Sequence, residues 1–155
     1  MLWTVWQLKS QAQWVALSAF IALALWRGAG PERRIACVFI FMFVADRIYH
    51  ALFGNGRLLL SADLGHVLID AAALAGFVWI ALRANRVYPL WLASFQLMTL
   101  VSHVVRALSP SVATGAYAIL IFAPSYLEVL VFGLGLFLHL RRQAKFGPYR
   151  SWRSS

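Results

Sequence analysis

Residues 35–53 read IACVFIFMFVADRIYHALF. The first eleven positions are apolar without a break. The whole run approaches the ~20 residues that a helix needs to cross the hydrocarbon core of a bilayer. Hydrocarbon offers no partner to backbone N–H and C=O groups, so an isolated segment of this kind must be a helix. Its last third carries Asp46, Arg47 and His50. Ionisable side chains at that depth are costly, and a group of them marks a functional region.

The rest of the chain repeats the pattern. Of 155 residues, 62% are hydrophobic and 12% charged, with mean hydropathy +0.73. Soluble domains carry about 25% charged residues, so the composition excludes an ordinary soluble domain and predicts an integral membrane protein. Apolar runs predict five helices, at about 11–27, 35–53, 62–82, 88–108 and 115–140. Residues 1–14 read as a short interfacial segment ahead of the first. Pro89 suits a first helical turn, and Pro124 inside the fifth run predicts a kink. Gly28–Pro31, Gly54–Gly56 and Ser109–Ser111 are turn chemistry. The short loops predict an all-α bundle of antiparallel neighbours.

Charge sets the expected orientation. Arg27, Arg33 and Arg34 flank the first turn, Arg83 and Arg86 the third, and Arg141, Arg142, Lys145, Arg150 and Arg153 the tail. The opposite side holds Lys9, Arg57 and Arg106. Ten against three predicts a cytoplasmic C-terminus and an N-terminus outside, in a bacterial inner membrane. The same bias argues against a cleavable signal peptide in the first run. The net charge of +9 is therefore read as topology signal and contact with lipid headgroups rather than as nucleic-acid binding. The basic, aromatic tail of residues 141–155 is expected on the headgroups. Cys37 is the only cysteine, which excludes an internal disulfide; it is expected as a packing residue.

Helical spacing groups the polar residues into stripes. Asp46 and His50 are four apart; Asp63, His66 and Asp70 are spaced three, then four; Gln96, Thr99, His103 and Arg106 form a third stripe. Tyr126 and Glu128 lie near mid-depth of the fifth helix, below Pro124. All fall in one leaflet by topology. His139 falls at the opposite boundary.

Several readings share these residues. Three imidazoles, His50, His66 and His103, with carboxylates beside them suit a metal ion such as zinc, iron, manganese or copper, or a proton path. Asp46, Arg47, Asp70, Gln96, Arg106, Tyr126 and Glu128 would complete a pocket that binds or conducts a small ligand. Two histidines from different helices would also suit b-type haem. A membrane-embedded metal-dependent enzyme is a further reading, with Ser125 three residues from Glu128 as the best-spaced nucleophile. The structural alternative makes Asp46 and Asp70 ion-pair partners of Arg47 and Arg106, and Asp63 a first-turn charge. A single five-helix protomer is small for a transport path, so partners are expected: the lipid bilayer, and either further copies of the chain or a larger membrane complex to which it is an accessory subunit.

Overall fold

A computed structural model describes residues 2–54, 64–109 and 114–153. Among these the fold is all-helical: α1 (Leu2–Arg27), α2 (Gly30–Phe53), α3 (Leu64–Arg83), α4 (Tyr88–Leu108) and α5 (Thr114–Phe146). Four of the helices, α2 to α5, are long and apolar enough to cross a membrane, and they suit a multi-pass membrane protein. A bundle of five helices is compatible with them. Large apolar side chains such as Val15, Ile48, Leu68, Leu97 and Leu130 lie exposed along the outside of the bundle, as a lipid-facing surface requires.

Helix bounds differ from expectation where polar residues sit in a terminal turn. α1 is one continuous helix, Leu2–Arg27, so residues 2–14 belong to it. α2 begins at Gly30 rather than near residue 35. Pro31 is preset for a first turn and lacks only a donor that the turn would leave unused, and Glu32 favours the positive end of the helix. α5 continues to Phe146, with Pro124 inside an unbroken helix.

The helices close into a ring. Each packs on its neighbour in sequence, and α5 returns to pack on α1. Glycines let the helices approach. A Cβ at Gly133 of α5 would meet the Phe20 ring of α1 at 2.5 Å, and one at Gly76 of α3 would meet Val38 of α2 at 2.9 Å. Small residues at such seams replace the hydrophobic drive that lipid cannot supply. Cys37 lies on the exposed face of α2, not in a seam as expected. The central core is aromatic. Phe39, Phe77 and Phe132 are buried, and Phe39 packs on each of the other two with ring centroids 5.3 Å apart.

One end of the ring is closed by the C-terminal segment. Gly147 takes φ 74°, a left-handed value that ends α5 and reverses the chain. The segment then runs back to the α3–α4 turn. Asn85 N–H donates to Ser151 C=O (3.0 Å) and Arg153 N–H to Arg83 C=O (2.8 Å). Trp152 packs at 6.2 Å from Trp79, under the Arg34 guanidinium at 4.4 Å. The tail is thus a helical extension followed by a strap across the bundle, and its Arg141, Arg142, Lys145, Arg150 and Arg153 side chains stay exposed.

Beneath the strap lies a polar cluster. Glu32 is fully buried (0% exposed). Its Oε1 accepts from Arg86 Nε (2.9 Å) and from the Tyr88 hydroxyl (3.3 Å). Arg86 also donates to His139 Nδ1 (3.3 Å), which is 2.9 Å from the Tyr149 hydroxyl. His139 therefore sits at the opposite end from the other histidines, as expected, and it is buried.

Candidate metal centre and cavity

The far half of the ring is hollow. A cavity of about 550 Å³ lies between all five helices. Gln13 and Trp14 of α1 line it, with Asp46 of α2, His66 and Asp70 of α3, Gln96, Thr99 and His103 of α4, and Tyr126 and Glu128 of α5. These polar residues meet because the 3.6-residue period turns each polar stripe toward the inside of the bundle.

Asp46 forms the rim. Its Oδ1 is 3.4 Å from His50 Nε2 and 3.3 Å from His66 Nε2. One donor atom from each of Asp46, His50 and His66 falls within 4.8 Å of the others. The His50 and His66 rings are 5.0 Å apart, and both pack near Tyr49. His50 follows Asp46 by one turn, whereas His66 is delivered by the next helix. Gly65 makes that approach possible, since a Cβ there would strike the Tyr49 ring.

The tautomer of His50 follows from its other contact. Nδ1 is 3.2 Å from the Gly54 carbonyl, which only accepts, so Nδ1 carries the proton. The Nε2 that faces Asp46 then either donates a second proton to the carboxylate, as imidazolium, or offers its lone pair to a cation shared with it. A histidine whose second nitrogen is fixed by a backbone carbonyl is the usual form of a metal ligand.

Asp70 organises the inner wall. Its Oδ1 accepts from Gln96 Nε2 (2.8 Å), and its Oδ2 is 3.1 Å from His103 Nε2. His103 Nδ1 is 2.8 Å from the Tyr117 hydroxyl. His103 is therefore held at both ring nitrogens. Arg106 is buried one turn further along, 5.2 Å over the Tyr117 ring.

Glu128 lines the cavity and is 3% exposed. Its Oε1 has no hydrogen-bond partner among the described residues. Leaving a buried acceptor unmade costs on the order of 1–3 kcal/mol, so this oxygen points to something that occupies the cavity.

Most of the expected residues converge, and some do not. Asp46, His66, Asp70, Gln96, His103, Tyr126 and Glu128 share the cavity, and His50 joins at its rim. Arg47 lies outside: it is exposed, with its guanidinium 5.4 Å over the Phe43 ring. Asp46 and Asp70 meet histidines, and Arg47 turns away from Asp46 because adjacent helical positions diverge by about 100°. Asp63 lies outside the described residues. The expected nucleophile is otherwise engaged: Ser125 Oγ donates to Phe122 C=O (2.8 Å) and accepts from Gln13 Nε2 (3.1 Å). Ser102 Oγ likewise donates to Met98 C=O (2.7 Å).

Two features escaped the sequence reading. Gln13 lies in the stretch taken for an interfacial segment and carried no signal of its own. Glu32 looked like a loop charge beside Arg33 and Arg34. Its signal was its rarity, as one of only five acidic residues in the chain.

No family model, curated protein or solved structure matches this chain.

Proposed function

We propose that the chain is a small protein of a bacterial cytoplasmic membrane that binds a transition-metal ion at Asp46, His50 and His66, at the rim of a polar cavity in the outer half of the bundle. The observation that carries this reading is the convergence of two imidazole nitrogens on one carboxylate oxygen, at 3.4 and 3.3 Å. With His50 Nδ1 protonated, a metal ion would join both Nε2 atoms to that oxygen. Nitrogen and oxygen donors suit zinc, iron, manganese or copper, and three protein ligands leave a coordination position free, as in catalytic rather than structural zinc sites. The ten-to-three distribution of Lys and Arg supports the orientation, with the strap in the cytoplasm.

Binding is favoured over conduction by what lies below the cavity. Glu128 and His139 are eleven residues apart on α5, or about 16 Å along the axis. Buried Phe132 and Leu136 lie between them, with Phe39, Phe77 and Ile80 packed around. A proton or ion passing through would cross that apolar layer unsolvated.

The test is cobalt titration of the detergent-purified, chelator-stripped protein, read in the visible absorption of protein-bound Co²⁺. One Co²⁺ per chain is expected, lost in the double variant His50→Ala/His66→Ala and kept in His139→Ala. Affinity should fall as pH drops through the ordinary imidazole range, about 6–7, because protons compete with the metal. Absence of cobalt bands, or bands indifferent to the double variant, would overturn the reading.

A further inference from the structure

We propose that the floor of the cavity binds an organic cation: an amine or quaternary ammonium group carried on an apolar body, with Glu128 and Asp70 as its counter-charges. This site shares a cavity with the metal centre but not its histidines.

Charge is distributed unevenly in a way that favours such a ligand. The chain holds 14 basic and 5 acidic residues. Three of the five acids, Asp46, Asp70 and Glu128, line this one cavity, and among the described residues no arginine or lysine does. A pocket built for an anion or a neutral lipid would not collect most of the acids of a basic protein.

The floor also holds an unanswered acceptor. Glu128 shares the cavity with Asp70. Asp70 has Gln96 and His103 as partners, but Glu128 Oε1 has none among the described residues, although the residue is 97% buried by its 3% exposure. An ammonium group supplies both missing elements, a donor for Oε1 and a positive charge between two carboxylates.

The walls select an organic cation over a bare ion. Trp14, Phe39, Phe122 and Tyr126 line the same space, and aromatic faces attract ammonium groups. A volume of about 550 Å³ lies within the range of small-molecule sites, roughly 300–1,000 Å³. A hydrated metal ion gains nothing from apolar walls of this extent.

The experiment compares three ligands of one shape on the unaltered, detergent-purified chain by calorimetry at pH 7: 4-phenylbutylamine, which is cationic, 4-phenylbutanol, which is neutral, and 4-phenylbutyrate, which is anionic. The amine should bind at least about tenfold more tightly than the alcohol, and the carboxylate not measurably. Glu128→Gln should weaken the amine by about tenfold or more and leave the alcohol unchanged. Equal affinity for amine and alcohol would overturn the proposal, and this comparison decides even if Glu128→Gln does not fold. The variant His50→Ala/His66→Ala separates the two sites. It should abolish cobalt binding and spare the amine; loss of both would place the amine on the triad and overturn the assignment to Glu128.

Discussion

The bundle has two polar ends that treat buried charge in opposite ways. At the strap end, Glu32 is enclosed by Arg86 and Tyr88, and the chain folds over the top. At the cavity end, Asp46, Asp70 and Glu128 meet histidines and a glutamine around open space. Both ends satisfy the rule that charge in a membrane protein faces inward. Each end keeps a buried carboxylate oxygen with no hydrogen-bond partner among the described residues, Glu32 Oε2 and Glu128 Oε1, but only the cavity end leaves room beside it. Buried charge alone is thus a poor guide to function here. Charge beside a void is the better one, because a ligand needs space as well as a partner.

The comparison can be broken by substitutions at each end. The largest effect is expected from Glu32→Ala, which strands the Arg86 guanidinium in a buried site. Removing one partner of a buried pair costs about 3–5 kcal/mol, while Asp46→Ala, at a position 39% exposed, should cost under about 1 kcal/mol. Thermal unfolding in detergent measures both, and similar losses would erase the distinction between the ends. An intermediate effect is expected at the seam that closes the ring. Gly133→Leu would drive a side chain into the Phe20 ring and should cost about 1–3 kcal/mol by overpacking, while opening the cavity between α1 and α5. A cysteine-reactive probe on Ser125→Cys would label faster in that background. The smallest effect sharpens the cavity end itself. Tyr117→Phe removes the hydroxyl that holds His103 Nδ1 and should cost about 0.5–1.5 kcal/mol, with cobalt binding at the rim unchanged.

Depth was legible in the sequence, and direction around the helix was not. The runs expected at 62–82 and 88–108 became α3 and α4 within two residues, because hydrocarbon thickness dictates their length. The shared level of His50, His66, His103 and Asp70 followed from the same counting. Their partners did not. Arg47 sits at the right depth on the wrong face, while His66 reaches Asp46 only because glycine at position 65 admits the Tyr49 ring. The strap was hidden for another reason. It is held by backbone bonds from Asn85 and Arg153, which no side-chain pattern announces.

The ring has a consequence in time. The helix that closes the circle, α1, leaves the ribosome well before the helix it closes against, α5. Until α5 arrives, α1 to α4 can form only an arc whose inner face carries Asp46, His66, Asp70 and His103 with no far wall. The cavity therefore exists only once α5 has been made. In a membrane, this polar arc would have to be kept from lipid for the whole interval in which α5 is being made.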